Sequence, residues 1–190
     1  MRVLPLLMCL LSCSAVHSAP LLDGDCGDHR DAGVVPRILA QSVELYVHEY
    51  AGQLWLCATL APGDLGTVDV QLVTPRYPRG INLHVSAQLG EWPLDRPDDA
   101  PTGANDARWW NHRGWSGSTL RFHGMEDVDG QRRPRLLPGR ARELQIDVAR
   151  FGAGTWNLLL RFQQLGGREE LIYPDAGDEP LMIRIDDPVD

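Results

Sequence analysis

Polar and apolar residues alternate strictly over several separate stretches of this chain, and a period of two is the mark of strands with one buried face. In residues 42–50 (SVELYVHEY), Val43, Leu45 and Val47 fall on one side and Glu44, Tyr46 and His48 on the other. Ala51-Gly52 turns the chain into residues 53–60 (QLWLCATL), so the pair reads as a hairpin. Residues 67–73 place Val68, Val70 and Leu72 inward, and residues 81–89 set Ile81, Leu83, Val85, Ala87 and Leu89 against Asn82, His84, Ser86 and Gln88. Residues 142–151, 155–164 and 181–185 add Leu144, Ile146, Val148, Leu158 and Leu160 to the inward set, and residues 118–123 are a shorter strand candidate. Residues 21–33 and 126–140 read as loops rich in turn formers and charge. Several short strands with Gly, Pro and Asp turns and no helical period predict an all-β fold, a two-sheet antiparallel sandwich of jelly-roll type.

Composition changes that picture only at its edges. The hydrophobic fraction of 43% suffices for one core, and no second domain is needed. The net charge of −8, with no Lys and no basic cluster, argues against nucleic acid as a partner. Residues 1–19 (MRVLPLLMCLLSCSAVHSA) read as an export leader: Arg2, an apolar run over residues 3–11 broken only by Pro5, then small residues before a cut after Ser18 or Ala19. That run is too short to span a bilayer. The expected organisation is a leader over 1–19, removed, and a single sandwich over 20–190, exported to the periplasm or the extracellular space. Leu10-Leu11-Ser12-Cys13 also resembles the bacterial lipoprotein signal, which would put a lipid anchor on Cys13 and the protein at the outer membrane.

With the leader gone, two cysteines remain, Cys26 and Cys57. An even pair in an oxidising compartment predicts a disulfide, the alternative being two buried thiols. A bridge would staple the Asp/Gly-rich N-terminal segment to the sheet.

The order of features is similar to one family. Leu22-Asp23-Gly24 precedes a hairpin with Leu45-Tyr46 and Leu54-Trp55-Leu56, and the segment Arg142, Glu143, Leu144, Ile146, Val148, Phe151, Gly152 and Trp156 closes the pattern. This resembles the family 9 carbohydrate-binding-module-like sandwich, related in architecture to DOMON domains. The resemblance implies a jelly-roll and, in sugar-binding members, a ligand held between tryptophan rings. Asp28-His29-Arg30 stand here where the family carries a Trp after its Asp-Gly.

Candidate chemistry concentrates in the long loop over residues 91–117. Arg108-Trp109-Trp110-Asn111-His112-Arg113-Gly114-Trp115 places three of the six Trp within seven residues. Indole faces stack on the apolar face of a pyranose while Arg108, Asn111 and His112 bond its hydroxyls, and Trp92 at the start of the loop would join them. The competing reading makes these rings plugs for the end of the core. Trp55 and Trp156, inside strands, read as core. Asp23, Asp25, Asp28 and Asp31 raise calcium, but their spacing does not match the twelve-residue calcium loop, so a solvated acidic loop ranks ahead of a calcium site and no other cofactor is expected. No nucleophile elbow, zinc helix or phosphate loop is present in the sequence. These readings rank a non-catalytic saccharide- or small-ligand-binding module first. A cell-envelope interaction domain without such a ligand comes second, a glycan-active enzyme third and a haem-binding DOMON-type role fourth.

Overall fold

A computed structural model describes residues 19–40, 43–61, 64, 66–165, 168–175 and 177–186. The leader cleavage and the Cys13 anchor fall outside the described residues. Among the described residues, eleven strands and two short α-helices follow in order, besides a 3-10 turn at Pro97–Asp99: α1 (Gly27–Asp31), β1 (Arg37–Ala40), β2 (Val43–Tyr50), β3 (Gln53–Thr59), β4 (Thr67–Val73), β5 (Ile81–Val85), β6 (Leu89–Pro93), β7 (Trp115–Val128), β8 (Gln131–Asp147), α2 (Val148–Phe151), β9 (Gly154–Leu165), β10 (Arg168–Tyr173) and β11 (Leu181–Ile185).

Two antiparallel sheets form. The first has the order β1-β2-β3-β8-β7; the second runs β10-β9-β4-β5-β6, with β11 also pairing β9. Their inner faces carry the residues that alternation marks. Val43, Leu45, Leu54, Leu56, Leu144 and Ile146 of the first sheet meet Val68, Val70, Leu83, Val85, Leu158 and Leu160 of the second, and all are buried. Val47 is half-buried against the same core. Each such side chain contributes about 1.5–3 kcal/mol of transfer free energy, which is why the period of two, and not helix propensity, decides these segments.

Three local expectations are corrected. β5 ends at Val85, because Ser86 Oγ accepts from the Gln88 N–H and closes a bend there. The N-terminal segment holds the short helix α1. Residues 126–140 are not a connection: they belong to the ends of β7 and β8, which run on as a paired hairpin beyond the sandwich. The disulfide is formed, Cys26–Cys57, with Cα atoms 5.8 Å apart. No helix among the described residues is long and apolar enough to cross a membrane.

Candidate functional site

On the outer face of the second sheet, pairing registers line up Arg161, Asp69, His84 and Gly90 in one row and Gln71, Asn82 and Trp92 in the next. Asp69 organises them. One of its carboxylate oxygens accepts from Asn82 Nδ2 at 2.7 Å and lies 2.8 Å from His84 Nδ1. Two indoles flank the imidazole, Trp92 at 5.9 Å and Trp109 at 5.2 Å between ring centroids. Trp109 reaches this face because β6 carries glycine beneath it: a Cβ on Gly90 would stand 2.8 Å from the indole. Its Nε1 is anchored on the Gly103 carbonyl at 2.8 Å.

Beside this face, where the loop over residues 94–114 folds over the edge strand β6, lies a cleft of about 370 Å³. Tyr77, Trp92, Arg96, Arg108, Asn111 and Arg150 line it. Its cations are held internally. Arg108 grips both oxygens of Asp106, at 3.0 and 2.6 Å, and its hydrogen bonds hold the Asp106 carboxyl far below the usual carboxylate range. Arg150 makes a two-pronged contact with Glu91, 2.7 Å on each arm, and donates to the Tyr77 hydroxyl. A fork-on-carboxylate pair of this kind fixes both partners in place. The cleft is therefore preorganised and polar, with its charge largely neutralised from within. A wider depression of about 800 Å³ beside Gln163, Gln164, Arg168, Glu169 and Glu170 offers no aromatic ring to a ligand.

The seven residues singled out from the sequence separate. Trp92, Arg108 and Asn111 line the cleft, and Trp109 covers the adjoining face. Trp110 is 58% exposed at a left-handed φ of 65°, a conformation a bulky residue adopts only when its surroundings hold it there. His112 is half-buried between Trp110 and Trp115. Trp115 does not join the site: it is 4% exposed in the main core and donates its Nε1 to Glu91. Asp69, Asn82 and Arg150 are the residues that sequence reasoning missed, and Glu91 lines the cleft as well. For Asp69 and Asn82 the signal was only the polar half of an alternation, which any solvent-facing strand also shows; Arg150 falls in the inward phase of residues 142–151 and carried none.

The outer face of the first sheet is a closed counterpart. The segment over residues 20–36 lies on it, held by the disulfide, and buries Tyr46, Trp55, Cys57 and Glu143 of the sheet together with His29 of α1. Glu143 accepts from the Gly24 N–H and lies 3.6 Å from His29 Nε2, too far for a hydrogen bond. His29 Nε2, Glu143 Oε1 and Trp55 Nε1 are all buried without a hydrogen-bond partner. Burial pushes the Glu143 carboxyl up and the His48 imidazole down, the latter helped by neighbouring His29. His29, Cys57 and Glu143 bring donor atoms within 4.8 Å of one another, but the Cys57 sulfur is committed to the bridge, so the trio is no metal site in this state. Three of the four aspartates that suggested calcium accept from the backbone: Asp23 from Asp25 N–H, Asp25 from Gly27 N–H, and Asp28 from the Leu21 and His29 N–H groups.

Compared with known proteins, the chain matches no family model, no curated protein and no solved structure.

Proposed function

We propose that this protein is an exported, non-catalytic carbohydrate-binding-module-like sandwich that holds a saccharide where Trp92 and Trp109 flank His84. The observation that carries the reading is the pairing of two half-buried indoles with the hydrogen-bonded trio Asp69, His84 and Asn82, of which Asn82 is buried while Asp69 and His84 keep a partly exposed edge. A pyranose offers both an apolar face and a ring of hydroxyls, and this surface complements both. The cleft beside it would take a second sugar unit or a substituent, with Asn111 and Tyr77 available for hydroxyls. The order of sequence features that resembles family 9 modules points to the same class, and a formed disulfide supports the oxidising compartment. A glycan array probed with the purified protein, followed by titration of Trp fluorescence with the sugars it retains, tests the reading. Saturable quenching that disappears in Trp109→Ala is expected; no response across a broad panel would overturn it.

A second reading, a cell-envelope interaction domain, is favoured by one other observation: Leu120, Phe122, Met125 and Leu136 are exposed on the projecting hairpin.

A further inference from the structure

The sealed chamber on the first sheet gathers donor groups that hydrogen bonding does not use. His29, Cys57 and Glu143 are wholly buried, and each brings one donor atom within 4.8 Å of the other two. His29 Nε2 and Glu143 Oε1 face each other at 3.6 Å, and neither has a hydrogen-bond partner. Burying a polar atom unpaired is costly, and two such atoms gathered about one sulfur call for a reason. Imidazole, thiolate and carboxylate are the ligands that zinc takes. Two nitrogen or oxygen ligands of a tetrahedral zinc stand about 3.3 Å apart, close to the separation of His29 and Glu143. The other nitrogen of His29, Nδ1, lies 3.4 Å from His48 Nδ1, an outer hydrogen bond that leaves the Nε2 lone pair turned to the chamber. One thiolate and one carboxylate also cancel the double charge of the ion, as a sealed site requires. The bridge is what stands in the way, because a sulfur in a disulfide has no charge to give.

We infer that Cys57, once released from the bridge, binds a zinc-class divalent ion together with His29 and Glu143. The covering segment is then held to the sheet in one of two exclusive ways, by the bridge or by the ion. His29 belongs to α1, Cys57 to β3 and Glu143 to β8, so the ion ties the same cover to the same sheet that the bridge does. Release is a two-electron exchange. A dithiol such as dithiothreitol gives two electrons and two protons, the Cys26–Cys57 bond breaks into two thiols, and the dithiol closes to its own disulfide. Metal binding then sends the Cys57 proton to solvent. Cys26 stands outside the donor set and is the sulfur with which Cys57 closes the bridge again.

Replacing one cysteine at a time separates the two states without a reductant, because either change abolishes the bridge and only one removes a ligand. The full chain carries Cys9→Ser and Cys13→Ser throughout, so that no other thiol is present. Cys26→Ser should bind one Co2+ per chain, with thiolate-to-cobalt absorption and the intense visible bands of a tetrahedral site, and zinc should displace it. Cys57→Ser should bind about a hundredfold more weakly, as should Cys26→Ser combined with Glu143→Gln or with His29→Ala. Zinc should raise the thermal midpoint of the Cys26→Ser chain and leave that of the bridged chain unmoved. If Cys26→Ser does not fold by itself, zinc should restore its far-ultraviolet circular dichroism; a chain that stays unfolded with zinc overturns the inference. So would a Cys26→Ser chain without the cobalt spectrum, equal binding by Cys26→Ser and Cys57→Ser, or indifference to both Glu143→Gln and His29→Ala. The chamber and the saccharide site fail separately, since Trp109→Ala should leave the cobalt titration unchanged.

Discussion

The two outward faces of this sandwich carry the same chemical pair, a histidine beside a carboxylate, and treat it in opposite ways. On the second sheet His84 and Asp69 stand at 2.8 Å, partly exposed, between two tryptophans. On the first sheet His29 and Glu143 stand at 3.6 Å, both fully buried beneath the stapled N-terminal segment. A hydrogen-bonded pair that keeps an edge in water contributes little to stability, whereas polar groups sealed away from water must be satisfied or carry a cost. The open face is free to exchange water for a ligand. The sealed face can serve only the fold.

Truncating one indole on each face should expose that asymmetry most strongly. Trp55→Ala on the sealed face removes a ring that is 3% exposed and should cost about 3–5 kcal/mol in urea unfolding; a loss like that of Trp92→Ala would break the contrast. Removing the staple comes next. Cys26→Ser with Cys57→Ser frees a bridge of sequence separation 31 and should cost roughly 3–4 kcal/mol, with Trp55 emission shifting to the red as water enters. On the open face, Trp109→Ala should cost about 2 kcal/mol of saccharide affinity in a fluorescence titration. The same variant should leave the unfolding midpoint nearly unmoved.

A pH test sharpens the comparison at smaller amplitude. Burial raises the Glu143 pKa above its ordinary 4.5 in the folded state. A raised folded pKa gives stability that is complete below the unfolded value and is lost as pH rises through the folded value. The stability of the wild type relative to Glu143→Gln should therefore fall as pH rises above the ordinary value of 4.5, and a difference that grows with pH would contradict a sealed, desolvated carboxyl. The smallest effect belongs to Asp69→Asn, which should change stability by about 1 kcal/mol or less in the same urea assay.

Alternation made the core legible, since Val68, Val70, Leu83 and Val85 had no other face to occupy. It also misled by its own logic. Glu143 sits at a polar position of an alternating strand and reads as solvent-facing, because the cover that buries it comes from residues far away in the chain. β6 was illegible for a related reason: Gly90 has no side chain to contribute to a pattern, yet it is the floor on which Trp109 rests. The hairpin arm buries no core face of its own, so its Arg, Pro and Gly residues gave no period and read as a connection. Within the tryptophan cluster, adjacency in sequence concealed that β7 begins at Trp115, which turns that ring inward while Trp109 and Trp110 stay on the loop.

The bridge between Cys26 and Cys57 lies wholly within the N-terminal third of the chain, whereas the carboxylate that completes the sealed chamber meets Gly24 across 119 residues. Closing a loop costs more as it lengthens, and distant strand pairings form late. Oxidation is thus possible while β8 is still unfolded, and the covering segment is then tethered over a box that lacks one wall. Thiol loss would report the first stage of maturation, and protection of the Gly24 amide from exchange the last.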